Sequence, residues 1–140
     1  MSVDAAIQAA LYGHLKQITL PTPLPLAPEG KSFDAGGKAY LRPAYLPAEA
    51  SAPHIPFDGD AEHVGLFQIS VFWPAGKGIA EPLAVADAIR AHFARGTEFR
   101  LDGIDLRILR EPSTLPAVQE PSWLQIPVRV PWWACVTVDA

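Results

Sequence analysis

The chain has 140 residues, 49% apolar and 19% charged, with a net charge of −4 and a pI of about 5.5. That length and balance suit one globular domain, 1–140, and exclude a disordered chain. No Lys/Arg run offers a nucleic-acid footprint, no apolar stretch is long enough for a membrane span, and the single Cys135 excludes an intramolecular disulfide.

The N-terminal M1-S-V-D-A-A-I-Q-A-A10 lacks the basic start of a signal peptide, which with the lone cysteine fits synthesis in the cytoplasm. Ile7, Leu11, His14/Leu15 and Ile18 recur at helical spacing, with Ser2 or Asp4 as cap, and predict an amphipathic helix over 3–18 weakened at Gly13. The following P21-T-P-L-P-L-A-P-E-G30, part of a total of 15 prolines, predicts a polyproline-like connector over the surface. Lys38–Arg42 predicts a first strand that stops near Pro43 or Pro47.

Residues 47–64 show no period and predict a long loop of functional use, one that orders against a partner. His54, Asp58, Asp60 and His63 cluster there. Their spacing matches no closed zinc site, and Asp58-Gly-Asp60 lacks the remaining ligands of a calcium loop, so a solvated polar loop is the better reading.

Phe67, Ile69, Val71 and Trp73 alternate with Gln68, Ser70 and Phe72 and predict a second strand ended by Pro74. Gly76-Lys77-Gly78 sits between that strand and a helix, where phosphate loops occur. Lys77 is followed by Gly rather than Ser or Thr, and Val71 stands where the first glycine belongs, so a turn with positive φ is expected. Ile79, Leu83, Ala86, Ile89/Arg90 and Phe93 predict the apolar face of the next helix, with Gly96 as its left-handed C-cap.

T97-E-F-R-L-D-G-I-D-L-R-I108 is a hairpin turning at Asp102-Gly103. In that register Leu101/Ile104 and Phe99/Leu106 share an apolar face, while Arg100 meets Asp105 and Glu98 meets Arg107 on the other. Last, S122-W-L-Q-I-P-V-R-V-P-W-W-A-C135 alternates again, with Leu124, Ile126, Val128 and Val130 inward. At most one of Trp132 and Trp133 faces the core, which leaves the other for a contact. Pro127 and Pro131 point their donorless nitrogens to one side, which predicts an edge strand or a bulge and protection against strand addition. The sum is an α+β domain, two helices on one face of a mostly antiparallel sheet of about five strands, ordered α-β-β-α-β-β-β.

No catalytic, metal or cofactor residue is assigned. Ser70 lacks a nucleophile elbow, Cys135 reads as an inert thiol, His92 as a packing or dipole residue, and the paired aspartates as turn chemistry.

Y40-L-R, Q68-I-S-V-F-W-P-A-G-K-G78, A86-D-A-I-R-A-H-F-A-R-G-T97, the Asp-Gly hairpin and W123-L-Q-I-P-V-R-V-P-W132 stand in the order that resembles small tail-terminator proteins of long-tailed bacteriophages and prophages. The resemblance covers about residues 38–134. It implies a structural, non-enzymatic virion protein without cofactor. It further implies a ring, usually of six subunits, that caps the tail tube, stops its polymerisation and joins a head-completion or connector protein. Assembly in the host cytoplasm and a place at the head-proximal end of the tail follow from the same resemblance. No membrane and no sequence-specific nucleic acid is implied as a partner.

The resemblance transfers no residue. Candidate interaction residues come from charge and exposure: Arg95, Arg100 and Arg107 against Glu49, Asp58, Asp60 and Glu62, with Trp133. Two other readings remain, a neighbouring neck or tail-completion protein and a small-ligand-binding or enzymatic α+β domain.

Overall fold

The computed structural model describes residues 2–48, 61–101 and 103–136. Helix α1 runs Val3–Lys16; Ser2 caps it, its Oγ accepting from the Ala5 N–H at 3.1 Å. Ile7, Leu11 and Leu15 form its buried stripe. Helix α2, Ala80–His92, buries Pro82, Val85, Ala86 and Ile89. The face expected from Ile79 and Leu83 is thus turned by about one position. Those two stand 45% and 37% exposed. The helix ends at a Phe93 cap, and Gly96 (φ 97°) serves the turn into the next strand instead.

The strands are β1 (Tyr40–Pro47), β2 (Ala61–Pro74), β3 (Glu98–Leu101), β4 (Ile104–Arg107), β5 (Ser113–Thr114), β6 (Val118–Gln119) and β7 (Trp123–Val136). They form one antiparallel sheet ordered β1-β2-β7-β4-β3, with β5 and β6 also on β7. Seven strands replace the expected five because the sheet also captures two two-residue pieces of the 108–122 connection. β2 begins at Ala61, so Glu62 and His63 belong to a strand paired with Cys135 and Ala134 rather than to a loop. Glu49, His54, Asp58 and Asp60 lie outside the described residues.

Alternation decides the layers. Phe67, Ile69 and Val71 of β2 pair with Val130, Val128 and Ile126 of β7, and all six are fully buried beneath the two helices. The hairpin adopts the register read from its sequence: Glu98↔Arg107, Phe99↔Leu106, Arg100↔Asp105, Leu101↔Ile104. The proline-rich connector does more than cover the surface. Leu41 donates to the Pro25 carbonyl (3.0 Å) and Ala27 to that of Leu41 (2.8 Å), so residues 25–27 close part of the outer edge of β1. Leu24 and Leu26 pack on the core.

The edge expected for Pro127 and Pro131 is overturned: β7 is the central strand, in unbroken register with β2 over fourteen pairs. The geometric premise survives in another form. Leu115 N–H donates to the Pro127 carbonyl, so Pro127, and with it Pro131 four residues on, turns its nitrogen away from β2. On that side β7 meets only short partners, β4 at 133–136, β5 at 128–129 and β6 at 124–125. A ladder missing two donors is met by a partner broken into three pieces. With no open edge there, the protective role against strand addition lapses.

Candidate assembly surface

The helices cover one sheet face. The opposite face collects the other alternate positions, and three zones follow along it.

At one end Tyr40 stacks on Phe72 (centroids 4.8 Å, planes 1° apart), Trp123 meets both edge-on, and the exposed Arg42 guanidinium lies over both rings at 5.6 and 5.3 Å. In the middle lies a polar row. The buried Ser70 Oγ accepts from Gln125 Nε2 at 3.2 Å and Gln68 Nε2 at 3.4 Å, and Arg129 Nε donates to Gln68 Oε1 at 3.0 Å. Ser70 is thus an acceptor between two amides, with no histidine or carboxylate beside it among its hydrogen-bond partners.

The third zone is apolar. β4 and β5 leave β7 unpaired near Pro131, and a groove of about 360 Å³ opens there, lined by Val64, Leu66, Leu109, Arg110, Pro131 and both Trp132 and Trp133. Trp132 is a core residue, 3% exposed, packed over Gly65, where a Cβ would come within 2.5 Å of Cζ2. Tyr45 stacks with it, ring centroids 5.6 Å apart. Trp133 points to the outer face, half-buried, as the alternation required. Leu46, 42% exposed, borders the groove through its register partner Leu66.

The charged candidates separate. Arg107 is spent within the chain: its Nε bonds Asp105 Oδ1 at 3.0 Å, and its Nη1 lies 3.7 Å from Glu98. The Arg100–Asp105 pair is in register, but the carboxylate has turned to Arg107. Arg95, Arg100 and Glu62 are exposed and without an ion pair among the described residues. Glu62 sits on the same sheet face as Arg100 and Arg107, two strands from Asp105 through Cys135.

No group of three or more His, Cys, Asp or Glu converges on a metal-sized site among the described residues. Gly76 and Gly78 take φ of 85° and 83° around an exposed Lys77, as a turn demands. No helix of the described residues is long and apolar enough to cross a membrane.

The sequence left two relationships unread. His14 and His92 pack ring on ring between the helix ends. Ile79 and Leu83 carry a helical spacing that suits either face of α2, so the spacing alone placed them inward.

Among curated proteins none matches the chain. A solved structure without a functional description superposes with a TM-score of 0.71 at 24% identity, over 100% of this chain and 99% of the other, which extends the likeness of fold to the whole length. A family model described as phage tail terminator protein matches residues 6–132. Proteins of that family are structural components of the virion tail rather than enzymes, and this chain belongs to the phage tail terminator family.

Proposed function

We propose that the chain assembles into a ring, of six copies, that seats on the end of the tail tube, halts its polymerisation and presents the surface to which a head-completion or connector protein joins. The observation that carries this reading is the sheet face opposite the helices: among the described residues no helix covers it, and it bears an apolar groove, a row of amides and an aromatic cluster rather than a reaction centre. A surface of this kind is suited to protein contact. Tail assembly in the host cytoplasm and a head-proximal position belong to the same reading.

Charge supplies the orientation of the contact. Arg95 and Arg100 meet carboxylates of a neighbouring copy, drawn from Glu49, Asp58, Asp60 and Glu62, while Trp133 contributes apolar area; Arg107, held by Asp105 and Glu98, is left out of the contact. Exposed ion pairs are screened by salt, so assembly weakens as salt is added.

The test is light scattering of the purified chain, with electron microscopy of the chain mixed with tail tubes. Rings and capped tube ends are expected. Binding to the connector with no affinity for tubes would instead identify a neighbouring neck protein. Rings insensitive to both salt and Arg95→Glu would remove the electrostatic contact.

A further inference from the structure

Among the described residues six large apolar side chains stand more than a third exposed: Leu46, Val64, Ile79, Leu83, Leu109 and Val118. Five of them gather into two patches on opposite layers. Leu46, Val64 and Leu109 surround the groove beside Trp133 on the open sheet face. Ile79, the N-cap of α2, and Leu83 stand one turn apart along the flank of the helix, beside the buried Pro82, Val85, Ala86 and Ile89. One patch is a groove and the other a pair of part-exposed side chains. Neither is explained by packing within the chain.

We propose that Ile79 and Leu83 of one copy insert into the Val64/Leu66/Leu109/Trp133 groove of a second copy. This rests on the ring reading above and names the apolar contact that closes it. A cyclic ring joins two different patches on each subunit, whereas a two-fold dimer joins one patch to itself. The groove and the helix pair meet that requirement: each subunit carries one of each, on opposite layers, so every copy is a donor on one side and an acceptor on the other.

The charges flanking the patches agree. Exposed Lys77 precedes the helix pair and exposed Glu81 lies between its two members; exposed Arg110 lines the groove, and exposed Glu111 follows it in the chain. None of the four has an ion pair among the described residues. Docking the pair in the groove lets Glu81 meet Arg110. The half-buried Trp133 indole supplies the large flat wall that anchors such contacts.

Two surface variants test the contact. Leu83→Glu spoils the helix patch and keeps the groove; Leu109→Glu spoils the groove and keeps the helix patch. Both residues are exposed, so each variant is expected to keep the wild-type circular dichroism spectrum and melting transition. Each alone is expected to be monomeric by light scattering under conditions where the wild type forms rings. Mixed one to one, the two variants retain a single sound contact per pair, so a heterodimer of twice the subunit mass is expected, and no ring. Rings formed by either variant alone, or a mixture that stays monomeric, overturn this contact and leave the ring reading standing. A wild-type chain that forms no ring, alone or with tubes, overturns the ring reading and the contact with it.

Discussion

His14 and His92 lie face to face, ring centroids 3.9 Å apart and planes 14° apart, and each Nε2–H donates to the other's backbone carbonyl, at 2.8 and 2.6 Å. The two residues sit in the last turns of α1 and α2, where carbonyls lack helical partners. The His14 side chain bonds the His92 carbonyl, the His92 side chain adds a second donor to a His14 carbonyl that already accepts from the Gln17 N–H at 3.1 Å, and Phe93 and Phe99 meet the His14 ring edge-on. His92→Ala removes one of these bonds and the stacked ring, and is expected to cost about 1–3 kcal/mol in urea denaturation. His14→Ala should cost a similar amount.

The same pair gives stability a pH dependence. Burial, with a smaller push from the nearby His92, holds the His14 imidazole below its ordinary 6.5, against the upward pull of the His92 carbonyl bond. In the unfolded chain His14 takes its proton near 6.5, while the folded protein resists it. The contribution is therefore whole above pH 6.5, declines as pH falls from there through the folded value, and then levels off. Denaturation midpoints followed downward from pH 7.5 should fall in this window for the wild type and fall less for His14→Gln.

Gly65 is expected to tolerate no Cβ. One built there meets Trp132 Cζ2 at 2.5 Å, the Leu46 carbonyl oxygen at 2.7 Å and Pro47 Cα at 2.9 Å, and two of these atoms are backbone. Gly65→Ala should destabilise by roughly 1–3 kcal/mol through forced shifts of β1 and Trp132. Gly13, inside α1 with nothing within 4 Å, is the contrast: Gly13→Ala should stabilise by about 0.5–1 kcal/mol. Thermal melts of the two variants should move in opposite directions.

Tyr45 ties β1 to α1, its hydroxyl donating to Asp4 Oδ1 at 2.7 Å. Burial, then the Asp4 bond and charge, pushes the phenol well above its ordinary 10. A raised folded value gives stability that is present below pH 10 and lost as pH rises through the folded value. Tyr45→Phe should cost about 0.5–1.5 kcal/mol at neutral pH. Spectrophotometric titration should show a late-ionising tyrosine in the wild type that is missing from the variant.

Trp133 tests assembly separately from folding. It lies on the outer face and lines the groove, unlike the core residue Trp132. Trp133→Ala should leave the melting transition nearly unchanged and weaken ring formation at least tenfold by light scattering, the scale of a central aromatic contact. Trp132→Ala should instead lower stability by about 3–5 kcal/mol, as a large core truncation does.

What the sequence disclosed divides along chain separation. The β3–β4 register was legible because its apolar pairs and opposite charges agree within ten residues. The inward rows of β2 and β7 were legible because alternation of period two is local. The place of β7 was not: Pro127 and Pro131 argued for an edge, and only the pairing of 123–136 with 61–74 shows that its donorless side meets a segmented flank. His14 and His92 are 78 residues apart, and no local pattern links them. The candidate surface was half legible. Trp133 followed from parity, whereas the groove exists only where the end of β4 and the start of β5 leave a gap beside Pro131.

The central position of β7 sets a timetable for the newborn chain. β2, β4, β5 and β6 all hydrogen-bond to residues 123–136, so the sheet cannot close until synthesis has passed that point. Until then Phe67, Ile69 and Val71 have no strand to pair with on that side and depend on β1 and the helices for shelter. Folding waits on contacts of high sequence separation, which is slow and leaves apolar rows open to stray partners in the interval. A truncation before residue 123 should therefore yield insoluble material rather than a smaller folded subunit. Each copy therefore becomes available to any partner only as a finished unit.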